Sequence, residues 1–358
     1  GRAVAHAIED LLIGLKARPA EAGEFTKRAF HNGCLNLVEA EGLADLIHAE
    51  TEAQRKLAVS QMEGQLSTLY EHWRKRLLTS LALIEAEIDF ADEDVPEHLF
   101  EQVRPDLEVL RSDIQDHLED GHKGERLRDG IQIAVLGKPN SGKSSLINML
   151  AKRDVAIVSD IEGTTRDVID VHLDLGGYPV TVADTAGLRD SHDEIEQEGI
   201  RRAIKKAEHA DLKIIMVDAR EQALDKVLQQ QIDHNTQIIL NKIDTSDAEV
   251  DEKEWGAKIY PLSVKTGQGV QHWLGALTKW VERNYGISNK PLLTRSRHRY
   301  ALEQALEHLE RGLEMGGRDE ILAAEDVRLA MRAIGRITGH VDVEDLLDVI
   351  FSEFCIGK

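Results

Sequence analysis

With 358 residues, 42% of them hydrophobic and 30% charged, the chain is long enough for two or three domains with real cores. A net charge of −21 works against general nucleic-acid binding, so any RNA contact needs a local basic patch or a basic partner. No apolar run reaches the roughly 18 residues of a membrane-spanning helix, and two distant cysteines, Cys34 and Cys355, exclude a disulfide framework or a zinc pattern.

The cysteine usage fits a reducing, cytoplasmic setting. No charged-then-apolar leader follows Gly1, so no signal peptide is expected. The histidines are scattered without metal-ligand spacing. Two basic clusters, Arg74-Lys75-Arg76 and Arg201-Arg202 with Lys205-Lys206, are candidate RNA contacts or simply solvated helix faces.

In chain order, residues 37–90 read as helix. Leu66, Leu69, Trp73, Leu77, Leu81, Ile84 and Ile88 step by three or four and share one face. A second helix is expected over 97–120, and Gly121, Gly124 and Gly130 then punctuate the chain. From Ile131 strand-like and helix-like segments alternate, with strands expected at 131–136, 180–183, 212–217, 237–240 and 258–261. Such alternation predicts a mainly parallel sheet with helices on both faces. Helices return at 297–315, 324–337 and 343–354, the last with Asp342 as a candidate N-cap. The flanks are either two helical domains or one domain carrying the α/β module as an insertion.

Gly137-Lys138-Pro139-Asn140-Ser141-Gly142-Lys143-Ser144 fits the phosphate-binding loop, placed after an apolar strand and before a helix. Backbone N–H groups and the helix N-terminus favour phosphate there. Lys143 would reach the β and γ phosphates, and Ser144, followed by Ser145, would hold Mg²⁺. Asp184-Thr185-Ala186-Gly187 ends a strand, where Asp184 can hold Mg²⁺ through water and the Gly187 N–H can meet the γ-phosphate. Asn241-Lys242-Ile243-Asp244 ends another. The Asp244 carboxylate can accept two hydrogen bonds from guanine, a donor pair adenine lacks. Ser263-Val264-Lys265 would support the base. Gly163-Thr164-Thr165-Arg166-Asp167 is a switch candidate, with one threonine on Mg²⁺. Leu188 stands where Ras-type enzymes carry a water-positioning glutamine. The catalytic polar group must therefore come from elsewhere, with Asp193, Glu194, Glu196 and Glu198 as acidic candidates.

On these motifs, and on three more stretches, the chain resembles the MnmE (TrmE) family of tRNA-modification GTPases over nearly its whole length. The stretches are Phe354-Cys355-Ile356-Gly357-Lys358, Gly23-Glu24-Phe25-Thr26-Lys27-Arg28-Ala29-Phe30, and the loop from Ser159-Asp160-Ile161-Glu162 into Gly163-Thr164-Thr165-Arg166-Asp167. The resemblance implies an α/β P-loop GTPase domain inserted into an all-α helical domain. It places the end of an N-terminal domain and the first helical part at 1–128, the GTPase domain at 129–286 and the second helical part at 287–358. Most of a folate-binding domain would lie outside the chain.

By the same resemblance, Ser144 and Thr165 match Mg²⁺ ligands. Asn140, Ser159, Ile161 and Thr164 match K⁺ ligands. Glu196 matches a catalytic glutamate acting through water once GTPase domains pair in a homodimer. Cys355 matches a cysteine of the modification reaction, and Lys358 a contact to a tetrahydrofolate derivative in the full-length protein. Cys34 departs from the family, which often has a lysine there. The implied activity is GTP hydrolysis coupled to adding an aminomethyl-type group at carbon 5 of the tRNA wobble uridine, with the flavoprotein MnmG (GidA) as partner. A regulatory RNA-binding or ribosome-assembly GTPase of the Era or EngA type is the alternative. It calls for a basic RNA-binding domain, whereas this chain offers acidic helices and the 355–358 tail.

Overall fold

The computed structural model describes residues 1–89, 98–153, 155–157, 170–184, 207–221, 224–246, 255–287 and 290–341, and also Leu347, Ile350, Phe351 and Phe354. The chain divides into two compact units. One combines Gly1–Ala49, Arg55–Gly124 and Ser288–Lys358; the other combines Glu50–Gln54 and Glu125–Ile287. The α/β unit thus interrupts the helical one in sequence.

In the first unit, α1 (Arg2–Gly14), α2 (Glu24–His31), α3 (Leu37–His48), α4 (Glu52–Met62), which belongs to it from Arg55 onward, and α5 (Gln65–Asp89) follow in order. The helical stretch expected over 37–90 is therefore three helices as far as Asp89; Phe90 lies outside the described residues. Asn36 starts α3 with a reciprocal capping box to Glu39. The chain is extended at Ala49, and Gly64 adopts a left-handed turn just before α5. α6 (Leu99–Leu118), α11 (Ser296–Met315) and α12 (Glu320–Thr338) complete a ring with α5: α5 packs on α6, α6 on α11, α11 on α12 and α12 on α5.

The stripe read from sequence fills this ring. Trp73, Leu77, Leu81 and Ile84 meet Phe100, Leu107 and Leu110 of α6, and Leu302 and Leu309 of α11. Each such buried side chain stabilises the fold by about 1.5–3 kcal/mol before its ordering entropy is counted. A second cluster joins Leu37, Ala40 and Ala44 of α3 to Leu347, Ile350, Phe351 and Phe354. Leu347, Ile350 and Phe351 are helical and Phe354 lies in a bend; the other residues of the expected 343–354 helix, and Asp342, lie outside the described residues.

A polar knot sits inside this unit. Glu41 is fully buried; Arg297 donates to it at 2.6 and 2.7 Å, and His298 Nε2 lies 3.0 Å from it. Burial alone would raise the carboxyl's pKa, but Arg297 and His298 hold it well below the usual carboxylate range. Arg297 also donates to the Ile337 carbonyl, so α3, α11 and the end of α12 share one knot.

The second unit contains α7 (Lys123–Asp129), which belongs to it from Glu125 onward, β1 (Ile131–Gly137), α8 (Lys143–Ala151), β2 (Asp170–Leu175), β3 (Tyr178–Asp184), β4 (Leu212–Asp218), α9 (Lys226–Gln229), β5 (Thr236–Asn241), β6 (Lys258–Leu262) and α10 (Val270–Tyr285). The sheet order is β2-β3-β1-β4-β5-β6, parallel except for β2 against β3. β1, β4 and β5 are almost wholly buried, which is why they read as continuous apolar runs. β2 escaped the sequence reading, although Val171, Leu173 and Leu175 alternate with polar residues and Gly176-Gly177 turns the chain into β3.

Candidate nucleotide site

The order of the sheet reverses at β1, whose neighbours β3 and β4 follow it in sequence on opposite sides. In open α/β sheets ligands bind beyond the strand carboxyl ends at such a switch point. The register brings those ends together: Val135 pairs with Asp184, Gly137 with Met216, Asp218 with Asn241, and Asn241 with Leu262. The sequence motifs therefore emerge side by side.

The loop from β1 to α8 is tightly built. Asn140 is left-handed, and so is Gly142, the N-cap of α8. A Cβ on Gly142 would lie 2.2 Å from the Asn241 amide nitrogen, so only glycine fits without displacing that side chain. No side chain caps α8, which leaves its first-turn N–H groups and partial positive charge for an anion. Ser144 and Ser145 are exposed on that first turn. Lys143 Nζ is held by the Gly137 and Lys138 carbonyls at 2.7 and 2.9 Å. Ser141 is buried, and its hydroxyl has no partner among the described residues.

Asn241 ties three loops together. Its amide donates to the Ser141 carbonyl at 2.8 Å, and its carbonyl accepts from the Val264 N–H at 3.1 Å. Lys242 Nζ bridges the Asn140 carbonyl at 2.6 Å and Asp218 at 2.8 Å. Asp244 lies in the short 3-10 turn Ile243–Thr245, exposed and with no hydrogen bond among the described residues, so both oxygens are available to a base. Ser263 is buried and accepts from the Thr266 N–H, holding the turn that presents Val264 and the exposed Lys265.

Asn140 to Ser145, Asn241, Lys242, Asp244 and Ser263 to Lys265 thus form one constellation around the carboxyl ends of β1, β5 and β6. The backbone of Asp184 ends β3 beside them. Ser159, Asp160, Ile161, Glu162, Gly163, Thr164, Thr165, Thr185, Ala186, Gly187, Glu196, Cys355 and Lys358 lie outside the described residues, as do Leu188, Asp193, Glu194, Glu198 and the Arg201–Lys206 cluster. The uncapped α8 terminus suits a phosphate, and the exposed Ser144 hydroxyl on its first turn could offer an oxygen ligand to a hard cation such as Mg²⁺. Of the expected K⁺ ligands only Asn140 is described.

The sequence reading missed Asp218. It closes β4 almost buried and carries both Lys242 and Arg220. The Arg220 hydrogen bond and then Lys242 hold its carboxyl well below the usual carboxylate range, against the opposing effect of burial. A polar residue ending an apolar strand was its only signal. Glu221 beside it pairs with Lys138 of the phosphate loop at 2.8 Å.

The Arg74-Lys75-Arg76 cluster is largely neutralised. Arg74 pairs with Glu71, and Arg76 with Asp106 and Asp113, so this stretch is an ion-paired helix face rather than a free basic patch. Cys34 is exposed with a free thiol. No described helix is long and apolar enough to cross a membrane.

A family profile described as the MnmE helical domain matches residues 37–355. Proteins named tRNA modification GTPase MnmE align with the whole chain: 51% identical in Paramagnetospirillum magneticum, 53% in Parvibaculum lavamentivorans and 50% in Maricaulis maris, each over 81% of that relative's length. The G domain of the T. maritima FeoB iron transporter is a looser likeness, 22% identical over 42% of this chain and 98% of that one with a TM-score of 0.33, and decides nothing further. With a profile match over most of its length and relatives at half identity over all of it, the chain belongs to the MnmE family of tRNA modification GTPases.

Proposed function

We propose that the chain hydrolyses GTP in the service of tRNA modification. The observation that carries this reading is Asn241, which draws the phosphate loop and the base-supporting turn together beside an unengaged Asp244, in a chain aligned along its whole length with tRNA modification GTPases. The GTPase domain spans 129–286 and is flanked by helical parts at 1–128 and 287–358.

Asp244 selects guanine, the α8 N-terminus and Lys143 hold the phosphates, and Glu196 orients the attacking water in place of the glutamine replaced by Leu188. Ser144 and Thr165 would hold Mg²⁺, which neutralises developing phosphate charge. Asn140, Ser159, Ile161 and Thr164 would hold K⁺, which adds positive charge beside the same phosphates. Hydrolysis follows pairing of two GTPase domains in a homodimer. It accompanies aminomethyl-type modification at carbon 5 of the wobble uridine in the cytoplasm, with a flavoprotein of the MnmG type. Cys355 serves that modification, and Lys358 touches a tetrahydrofolate derivative in the full-length protein.

Mass spectrometry of wobble uridines from cells with and without the gene tests the reading. The modified nucleoside should vanish without the gene and return with it. Cys355→Ser in the full-length protein should abolish that return while GTP turnover stays intact. Unchanged wobble uridines in cells lacking the gene would sink the assignment.

A further inference from the structure

The bridge between the phosphate loop and the guanine loop has an anchor outside both. Asn140 and Lys242 are non-glycine residues in left-handed conformations, with φ of 61° and 69°. Such conformations persist where surrounding bonds over-determine them. Here the Lys242 ammonium joins the two turns by donating to the Asn140 carbonyl at 2.6 Å, and Asp218 holds that ammonium from the other side at 2.8 Å.

Asp218 sits at the end of the central strand β4, 7% exposed. A carboxylate this buried is costly without charged partners, and it has two. Arg220 Nη2 reaches the same oxygen, Oδ2, at 2.5 Å, and Arg220 Nε reaches Oδ1 at 2.9 Å. The Arg220 side chain is 62% exposed. One oxygen is therefore shared between a site lysine and a solvent-facing arginine. The 3-10 turn bearing Asp244 begins immediately after Lys242, so the placement of Lys242 bears on the base loop and the phosphate loop at once. The neighbouring Ala219 N–H donates to the Asn241 carbonyl at 2.7 Å.

We infer that Asp218 is a positioning residue that sets guanine-nucleotide affinity through Lys242, and that Arg220 tempers it by competing for the same oxygen. This inference rests on the GTP reading above. It concerns binding: the chemical step at the γ-phosphate lies beyond the bridge.

The test compares wild type, Asp218→Asn, Arg220→Ala and the double variant in the full chain. Fluorescent GDP and GTP analogues report Kd, steady-state turnover reports kcat and KM, and thermal midpoints without nucleotide report folding. Asp218→Asn, close in shape but uncharged, should raise Kd about tenfold, the scale of one charge-assisted hydrogen bond. Its kcat at saturating GTP should stay within about twofold, because uniform binding is what it loses. Arg220→Ala should lower Kd in the wild-type background and change nothing in the Asp218→Asn background, since a competitor matters only while its target remains.

An unchanged Kd in a normally folded Asp218→Asn overturns the inference. So does an equal effect of Arg220→Ala in both backgrounds. If Asp218→Asn unfolds, Arg220→Ala alone decides: a tighter Kd supports the competition and a weaker one refutes it. A wild type that binds no guanine nucleotide at all overturns the GTP reading, and this inference with it.

Discussion

At the residue scale, the candidate phosphate loop and the residues proposed to recognise the base could be named from sequence because such chemistry demands fixed residue types at fixed spacing. Gly142 must be glycine for its cap conformation and for its approach to Asn241, and guanine selection needs a carboxylate. Asp218 was not legible, since an aspartate ending a strand is common and only the fold brings Lys242 and Arg220 to it. Asp244→Asn tests base choice. It should weaken GTP binding by roughly tenfold or more, as a hydrogen bond to a charged acceptor is lost. Binding of xanthosine triphosphate should improve, because xanthine carries an acceptor where guanine carries the amine. Equilibrium titration with both nucleotides measures this, and unchanged GTP affinity would remove Asp244 from the base site.

At the scale of elements, the helix stripe from Leu66 to Ile88 could be read because burial in a four-helix ring demands its periodicity. The breaks at residues 49–51 and 63–64 could not, because an apolar stripe can continue across a change of helix direction. Two glycine substitutions should act with opposite signs. A Cβ on Gly316, after the end of α11, would lie 1.7 Å from a ring carbon of the buried Phe100. Arg104 fixes the same corner, donating to the Leu313 and Gly316 carbonyls at 2.9 Å. Gly316→Ala should therefore destabilise by about 1–3 kcal/mol through overpacking. Gly275 is exposed inside α10 with nothing within 4 Å of the added atom. There Gly→Ala should stabilise by about 0.5–1 kcal/mol through helix propensity. Urea unfolding of both variants checks the pair of signs.

The helical unit should also weaken in acid. Burial pushes His298 and His117 down to about 4 from an ordinary 6.5. Nearby arginines, Arg297 for His298 and Arg299 for His117, add to the effect, while Glu41 and Asp120 respectively oppose it. Both rings stay neutral in the fold where free imidazoles would take protons. The unfolded chain thus binds more protons between about pH 6.5 and 4, and stability falls as pH drops through that window, by roughly 1 kcal/mol per pH unit for each histidine. Hydrogen exchange in α5 and α11, corrected for intrinsic rate, should show protection declining below pH 6.5. A flat profile down to pH 4 would contradict it.

At the scale of the whole molecule, the proposed trigger is the pairing of two GTPase domains around a potassium ion. Turnover should be much faster in potassium than in matched sodium buffer and should rise per molecule with protein concentration. Glu196→Ala should cut kcat about 10²-fold or more, as expected of a water-orienting group, while nucleotide affinity holds. Equal rates in both salts at several protein concentrations would refute the pairing mechanism and leave GTP binding untouched.

By itself the sequence determined the order of the nucleotide motifs, the mainly parallel sheet and the apolar stripe, because each rests on local residue type and spacing. Only the tertiary structure decided which distant groups meet. It built one helical unit from segments either side of the α/β unit. It buried Glu41 against Arg297 and His298, more than 250 positions away, and neutralised the basic run at Arg74 and Arg76 with carboxylates. It also set Asp218 between Lys242 and Arg220. Long-range pairing is decided by how helices and strands bury their apolar faces together, and no short stretch of sequence carries that information.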